Sequence, residues 1–120
     1  MGSVRILLIE DDPLNAQFFL AVLERDGHAI EHESSGILGE ARALAAPFDL
    51  VLRDIDLPGQ DGLSICRRLR ATGFVGKLVA LTIHSDEPDR AQAREAGFDD
   101  FLEKPITPSA LRAAVRAHAP

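Results

Sequence analysis

The sequence predicts an α/β fold, a doubly wound parallel sheet of five strands between two layers of helices. Two observations lead to this prediction. Short apolar runs alternate with helical patterns from end to end, and Gly, Pro or Ser residues mark most of the boundaries. Strands that alternate with helices imply a parallel sheet, and right-handed crossovers narrow the topology to a doubly wound sandwich. At 120 residues the chain has the size of one domain, which we assign to residues 1–120.

The first half of the chain carries two strand–helix units. The continuous apolar run at 6–9 predicts a strand that is buried on both faces. Asp12-Pro13 supplies a helix cap and a first helical residue, and Gly27 ends that helix. Polar residues interrupt the second strand, at 29–33, and this alternation favours a partly exposed edge position. A short Ala-rich helix then follows over 36–46.

The second half repeats the pattern three times. Its strands are again short and apolar, and two of its helices begin at a proline. In the first of these helices the apolar residues share one face, so that Arg67, Arg68 and Arg70 are predicted to point mostly outward. The predicted elements are a strand at 48–52, a helix at 63–71, a strand at 78–81, a helix from Pro88 to Gly97, a strand within 98–102 and a helix from Pro108.

Composition restricts the class of function. The net charge of −6 argues against direct binding of nucleic acid or of an anionic membrane surface. The single cysteine, Cys66, excludes an internal disulfide and a thiolate metal cage. No apolar run approaches the length of about 20 residues that a membrane span needs. We therefore expect a cytoplasmic protein without membrane or nucleic-acid partners.

Reactive side chains collect where the predicted strands end. In such folds the active groups gather at the carboxyl ends of the strands, so groups that are distant in sequence converge on one rim. Several carboxylates there would repel one another unless a hard cation relieved the repulsion, and oxygen ligands favour Mg²⁺ over zinc. The residues at the strand ends are Glu10, Asp11 and Asp12; Asp54 and Asp56; Thr82, Ile83, His84 and Ser85; and Glu103, Lys104 and Pro105.

Such a rim also suits aspartyl-phosphate chemistry. That chemistry needs a carboxylate aimed at phosphorus, a metal that neutralises the phosphoryl oxygens, and donors for the developing charge. Lys104 supplies an ammonium and Thr82 a hydroxyl. Asp12, followed by a proline, is predicted to be a helix cap and not a metal ligand, and Asp61 is predicted to cap the third helix.

Four motifs in chain order resemble a known family over residues 5–119. The sequence is similar to the receiver domain of two-component response regulators. The resemblance implies the flavodoxin-like receiver fold with strand order 2-1-3-4-5. The motifs are Ile9-Glu10-Asp11-Asp12, Asp54-Ile55-Asp56-Leu57-Pro58-Gly59-Gln60-Asp61-Gly62, Leu81-Thr82 and Lys104-Pro105.

The resemblance implies a role for each matching residue. Asp54 would be the phosphoacceptor, with Mg²⁺ bound beside it by Asp11 directly, by Glu10 largely through water, and by the backbone carbonyl of Asp56. Thr82 and Lys104 would bind the phosphoryl oxygens, and the Lys104–Pro105 peptide bond would be cis. Phe101 would be the switch aromatic of the fifth strand, and we expect it to favour an inward orientation more than a tyrosine would.

Three residues depart from the family pattern or tune it. Ile83 stands where the family usually has a small residue, so it would crowd the phosphoryl entrance or hinder the movement of Thr82. His84 lies where the family tunes phosphoryl transfer and hydrolysis, and an imidazole there would order water or titrate. Arg53 replaces an apolar residue. Strand alternation points it away from the Asp54 side chain, over a helix or out to solvent.

The resemblance also implies partners. The phosphoryl donor would be a sensor histidine kinase or a histidine phosphotransfer protein, and no external metabolite would be turned over. The output would be a changed surface on the fourth helix, fifth strand and fifth helix, about 86–119, acting on a downstream effector, an attached output domain or a second copy of the chain. The segment 10–15 is similar to receivers attached to hybrid kinases.

Two alternative functions remain open at this point. Asp54-Ile55-Asp56 resembles the nucleophile and acid/base pair of haloacid-dehalogenase-like phosphatases, although that family places its motif on the first strand. A degenerate receiver that binds partners without phosphorylation is the second alternative, motivated by Ile83.

Overall fold

Five parallel strands form one sheet in the order β2-β1-β3-β4-β5, which confirms the predicted doubly wound fold. The structure is a computed structural model that describes residues 3–57, 61–83 and 86–120. The strands are β1 (Arg5–Ile9), β2 (Ala29–Glu33), β3 (Leu50–Asp54), β4 (Lys77–Thr82) and β5 (Asp100–Glu103). The helices are α1 (Pro13–Arg25), α2 (Gly36–Ala45), α3 (Gly62–Ala71), α4 (Glu87–Ala96) and α5 (Pro108–His118).

Alternate residues of the central strands supply two separate cores. Leu7, Ile9 and Val51 belong to the core under α2, α3 and α4, together with Ile65, Cys66, Leu69, Ala93 and Ala96. Their neighbours Ile6, Leu8 and Leu50 belong to the core under α1 and α5, together with Phe19, Leu23, Leu111 and Val115. Burial on both faces explains why these strands read as continuous apolar runs. The edge strand β2, in contrast, is only partly buried along its length.

Strand β3 begins and ends two residues later than its apolar run suggests. Pairing decides the boundary, because Arg53 lies opposite Ile9 of β1 and Asp54 lies opposite Leu81 of β4. The strand therefore includes Arg53 and Asp54, where a loop had been predicted from residue 54 onward. As a result Asp54 is held by the sheet itself.

Side-chain caps fix the start of the helices next to the sheet rim. Oδ1 of Asp12 accepts a hydrogen bond from the backbone N–H of Leu14 at 3.0 Å, as predicted for a helix cap. Asp61 accepts hydrogen bonds from the N–H groups of Leu63 and Ser64, which confirms the second predicted cap. In the described part of the chain, each helix is too short or too polar to cross a bilayer.

Arg70 is half-buried and joins three segments, although the helical pattern places it outward. Its guanidinium donates to the carbonyls of Gly97, Phe74 and Gly76. It also forms an ion pair with Asp99, with Nη2 and Oδ2 2.7 Å apart. The side chain therefore ties the end of α3 to the end of α4 and to the residue before β5.

Candidate functional site

Three carboxylates meet at the carboxyl end of the sheet. Glu10 follows β1, Asp54 ends the adjacent strand β3, and Asp11 comes next in the β1–α1 connection. One oxygen from each of the three lies within 4.8 Å of the others. Glu10 and Asp54 are buried, whereas Asp11 is exposed. The sheet order thus brings together acids that are more than forty positions apart in the sequence.

Lys104 reaches this cluster from the end of β5. Its Nζ lies 2.7 Å from Oδ2 of Asp54 and 3.3 Å from Oε1 of Glu10. The backbone N–H of Lys104 donates to the carbonyl of Thr82, and the Lys104–Pro105 bond is cis, as predicted. Burial lowers the pKa of Lys104, but its hydrogen bond and ion pairs with the two acids outweigh burial and raise it. The lysine therefore stays charged.

The carboxyl of Asp54 is held in its ionised form. Burial alone would raise its pKa, but interactions with Glu10, Lys104 and the N–H of Asp56 lower it below the usual range. The Asp56 N–H donates to Oδ1 of Asp54 at 2.8 Å. Each oxygen of Asp54 therefore has a fixed donor, which leaves a positioned anion at the end of β3.

Glu10 is a buried carboxyl whose surroundings, on balance, do not stabilise its negative charge. Burial, followed by the neighbouring Asp54 carboxyl, raises the pKa of Glu10 to about 7. Its side chain is fully buried, and among the described residues no well-aligned donor serves either of its carboxylate oxygens. A divalent cation would relieve both the repulsion and the unsatisfied oxygens. The donor set, three carboxylates without cysteine or histidine, fits Mg²⁺.

Asp56 connects the end of β3 to the end of β4. Its Oδ1 accepts a hydrogen bond from the Thr82 hydroxyl at 3.3 Å, and its Oδ2 accepts from the Ile83 N–H at 2.9 Å. Thr82 itself is buried. The sequence predicted Asp56 at the end of the third strand, but these two bonds depend on loop geometry that the sequence pattern does not encode.

The remaining predicted residues lie around the cluster. Phe101 on β5 is half-buried, with the guanidinium carbon of Arg90 4.1 Å from the centre of its ring. Ile83 is 62% exposed and borders a groove together with Phe18 and Lys104. His84 lies outside the described residues.

Arg53 was predicted to lie over a helix or in solvent, and it lies on the sheet face that α2, α3 and α4 cover. Its side chain is 1% exposed, so it does not reach solvent. Nη1 donates a hydrogen bond to the backbone carbonyl of Asp54. The sequence did contain a signal for this buried hydrogen bond, because a charged residue within a strand that is covered on both faces must either distort the strand or find buried partners.

Comparison with known proteins identifies this arrangement. Residues 6–116 match the family described as the response regulator receiver domain. The chain is 34% identical over 116 residues to the transcriptional regulatory protein ResD of Bacillus subtilis, and the alignment covers 97% of this chain and 48% of ResD. The chain thus spans about half the length of the curated relatives it matches.

Two solved structures share this fold. The receiver domain of a sensor histidine kinase from Pseudomonas aeruginosa PAO1 superposes with a TM-score of 0.87 at 30% identity, covers 98% of each chain and holds a magnesium ion in its active site cleft. The chemotaxis protein CheY4 of Vibrio cholerae shares the fold, with a TM-score of 0.90 at 20% identity and coverage of 98% of this chain and 99% of that one. Because the family match spans nearly the whole chain and the strand order agrees, this chain belongs to the receiver domains of two-component response regulators.

Proposed function

We propose that Asp54 accepts a phosphoryl group in a Mg²⁺-dependent reaction. The observation that carries this proposal is the fixed carboxylate of Asp54, with Lys104 Nζ 2.7 Å from one oxygen and the Asp56 N–H 2.8 Å from the other. A lowered pKa keeps this carboxyl ionised, as a nucleophile requires. A purely structural ion pair would also lower the pKa of Asp54, so the pKa alone does not identify a nucleophile. The cluster of carboxylates beside Asp54 is the second support for the proposal.

The reaction moves a phosphoryl group from a donor histidine to this carboxylate. A bond forms between an Asp54 oxygen and phosphorus while the P–N bond of the donor breaks, and the electron pair of that bond remains on the donor imidazole. The transition state spreads charge over the three equatorial phosphoryl oxygens. Lys104 would stabilise that charge with its ammonium, and Thr82 with its hydroxyl.

Mg²⁺ would be held by Glu10, Asp11 and Asp54, with the backbone carbonyl of Asp56 as the further ligand that the family resemblance assigns. Bound there, the ion supplies neutralisation of the phosphoryl oxygens and orientation of the phosphoryl group. The buried oxygens of Glu10, which lack a well-aligned hydrogen-bond donor among the described residues, support this assignment. In a related receiver from Pseudomonas aeruginosa a magnesium ion occupies the active site cleft.

We further propose that residues 1–120 act as one cytoplasmic signalling module and turn over no external metabolite. The donor would be a sensor histidine kinase or a phosphotransfer protein. The output would be a change on the surface of α4, β5 and α5, read by an effector, an attached output domain or a second copy. Relatives include both transcriptional regulators and a receiver of a sensor histidine kinase, so both kinds of attachment are consistent with this proposal.

Intact-mass measurement tests the central assignment. The protein is incubated with a small phosphoryl donor, with and without Mg²⁺, beside Asp54→Asn and Asp12→Asn. We expect one phosphoryl adduct that requires Mg²⁺, disappears in Asp54→Asn and persists in Asp12→Asn, because an asparagine still caps α1. An adduct that survives in Asp54→Asn would contradict the assignment.

The mass measurement, together with an assay for hydrolysis of a generic phosphomonoester, separates the alternatives. A haloacid-dehalogenase-like phosphatase would hydrolyse a generic phosphomonoester with turnover, and the position of Asp54 on the third strand does not support that function. A phosphorylation-independent binding module would show no adduct at all. The intact set of Asp54, Thr82 and Lys104 favours the receiver function over both.

A further inference from the structure

Arg53 is a buried cation directly beneath the phosphoacceptor. It lies opposite Ile9 of β1 and Ala80 of β4, within the central strand of the sheet, and only 1% of the residue is exposed. Along β3 it shares a sheet face with Val51, the side covered by α2, α3 and α4. Burying a guanidinium at such a position costs several kcal/mol unless nearby groups compensate it.

Asp54, the proposed phosphoacceptor, supplies part of the compensation for the buried charge of Arg53. Nη1 donates to the carbonyl of Asp54. Burial lowers the pKa of Arg53, and the strongest opposing influence is the charge of Asp54, followed by that of Glu40. An arginine does not deprotonate in proteins, so the positive charge behind Asp54 is permanent.

The charge of Arg53 makes the net charge around the acidic cluster less negative. Three carboxylates, those of Glu10, Asp11 and Asp54, face the ammonium of Lys104 at the carboxyl end of the sheet. Arg53 adds a second positive charge from behind, in a part of the protein where water does not screen it. A fixed positive charge weakens the binding of a divalent cation and favours the phosphoryl dianion.

We propose that Arg53 is a positioning residue that sets the cation affinity of this site: its charge weakens Mg²⁺ binding to the unphosphorylated cluster, while its hydrogen bond holds the end of β3. This inference rests on the proposed function, because it assumes that the cluster binds Mg²⁺. It concerns a residue that the family resemblance does not assign.

Mg²⁺ affinity distinguishes this role from a purely structural one. Loss of a structural support would weaken Mg²⁺ binding, whereas loss of an opposing charge tightens it. We expect the dissociation constant for Mg²⁺, measured by calorimetry at pH 8, to fall about tenfold in Arg53→Met, which corresponds to about 1.4 kcal/mol. At that pH Glu10 is mostly ionised in the wild type, because its pKa is about 7.

Three further variants separate charge from hydrogen bonding. Arg53→Gln keeps an N–H donor without the charge, so it should tighten Mg²⁺ binding like Arg53→Met, and it provides the neutral variant if Arg53→Met does not fold. Arg53→Lys keeps the charge and should stay near the wild-type affinity. Arg67→Met removes the same charge from an exposed position on α3, where screening should keep the change within about twofold.

The outcomes are distinct. The inference would be overturned if Arg53→Met and Arg53→Gln bound Mg²⁺ no more tightly than Arg67→Met does. That result would leave the metal site itself intact. If the wild type shows no saturable Mg²⁺ binding, the proposed function loses its metal site and this inference falls with it. Urea unfolding of each variant confirms that folded protein is being compared.

Discussion

The hydroxyl of Thr82 donates a hydrogen bond to the carboxylate of Asp56, with Oγ1 and Oδ1 3.3 Å apart. The same carboxylate accepts the Ile83 N–H. Asp56 therefore holds both the hydroxyl and the backbone at the end of β4 in the unphosphorylated protein. The family resemblance implies that the Thr82 hydroxyl would move toward the phosphoryl group on phosphorylation, so this carboxylate would be the contact that Thr82 leaves.

The first prediction concerns that contact. Asp56→Asn replaces a charged acceptor by a neutral one, and hydrogen bonds to charged groups are the stronger kind. We expect amide hydrogen exchange at Ile83 to become about tenfold faster, since a loss of about 1.4 kcal/mol has that effect. Asp12→Asn serves as the control, and equal exchange at Ile83 in both variants would contradict a holding role for Asp56.

The second prediction concerns Glu10 and pH. Its pKa in the folded protein is raised from 4.5 to about 7. A raised carboxyl pKa means that the folded state binds the proton more tightly, so this contribution to stability is present below about pH 4.5 and is lost as pH rises through 7. Without metal, we expect the wild type to lose on the order of 1–3 kcal/mol relative to Glu10→Gln between pH 5 and 8.

Urea unfolding in the presence of a chelator measures this difference. Asp54 does not disturb the comparison, because its pKa is lowered and it stays ionised throughout this range. Added Mg²⁺ should remove the loss in the wild type at pH 8. Parallel pH profiles for the two proteins would refute the pKa shift of Glu10.

The third prediction concerns Ile83. Ile83 is 62% exposed and borders the groove that Lys104 also lines. If it narrows the phosphoryl entrance, Ile83→Ala should form the adduct faster with a small donor at the same Mg²⁺ affinity. Rapid-quench mass measurement gives the rate, and an unchanged or slower rate would exclude crowding.

The fourth prediction concerns the aromatic of β5. Phe101 packs partly against the core on the α3–α4 side, and the Arg90 guanidinium lies 4.1 Å from the ring centre. A tyrosine hydroxyl would gain from contact with water, so Phe101→Tyr should shift the ring outward. Ring orientations from NMR test this, and an equally or more inward tyrosine would overturn the hypothesis.

The fifth prediction concerns the end of α4. Gly97 has a φ of 115°, and a Cβ atom there would lie 2.7 Å from Cγ of Arg70. Gly97→Ala combines backbone strain with displacement of the Arg70 side chain, so we expect it to lower the free energy of unfolding by about 2–3 kcal/mol. Gly27→Ala is the matched control, since its φ is also positive but its Cβ would meet open space, and it should cost about 1 kcal/mol.

The fold and the acidic cluster were predictable because their signals are local. Apolar runs and capping residues predicted ten elements in the observed order, and parallel pairing then placed Glu10, Asp11, Asp54 and Lys104 at one rim. The bounds of β3 were displaced by two residues, because hydrogen bonding with β1 and β4 decides where a strand ends. Such pairing joins distant segments and leaves no trace in the local pattern.

What the sequence by itself determined is the order of elements, the parallel sheet and the residue types at its carboxyl edge, since these follow from periodicity and chain order. Only the tertiary structure decided the burial of Arg53, its hydrogen bond to the Asp54 carbonyl and the attachment of Thr82 to Asp56. Each of these depends on which groups the sheet pairing and the loop after β3 bring together in the folded chain. For Arg53 the deciding quantity is the free energy of burying its charge, which is a property of the whole fold.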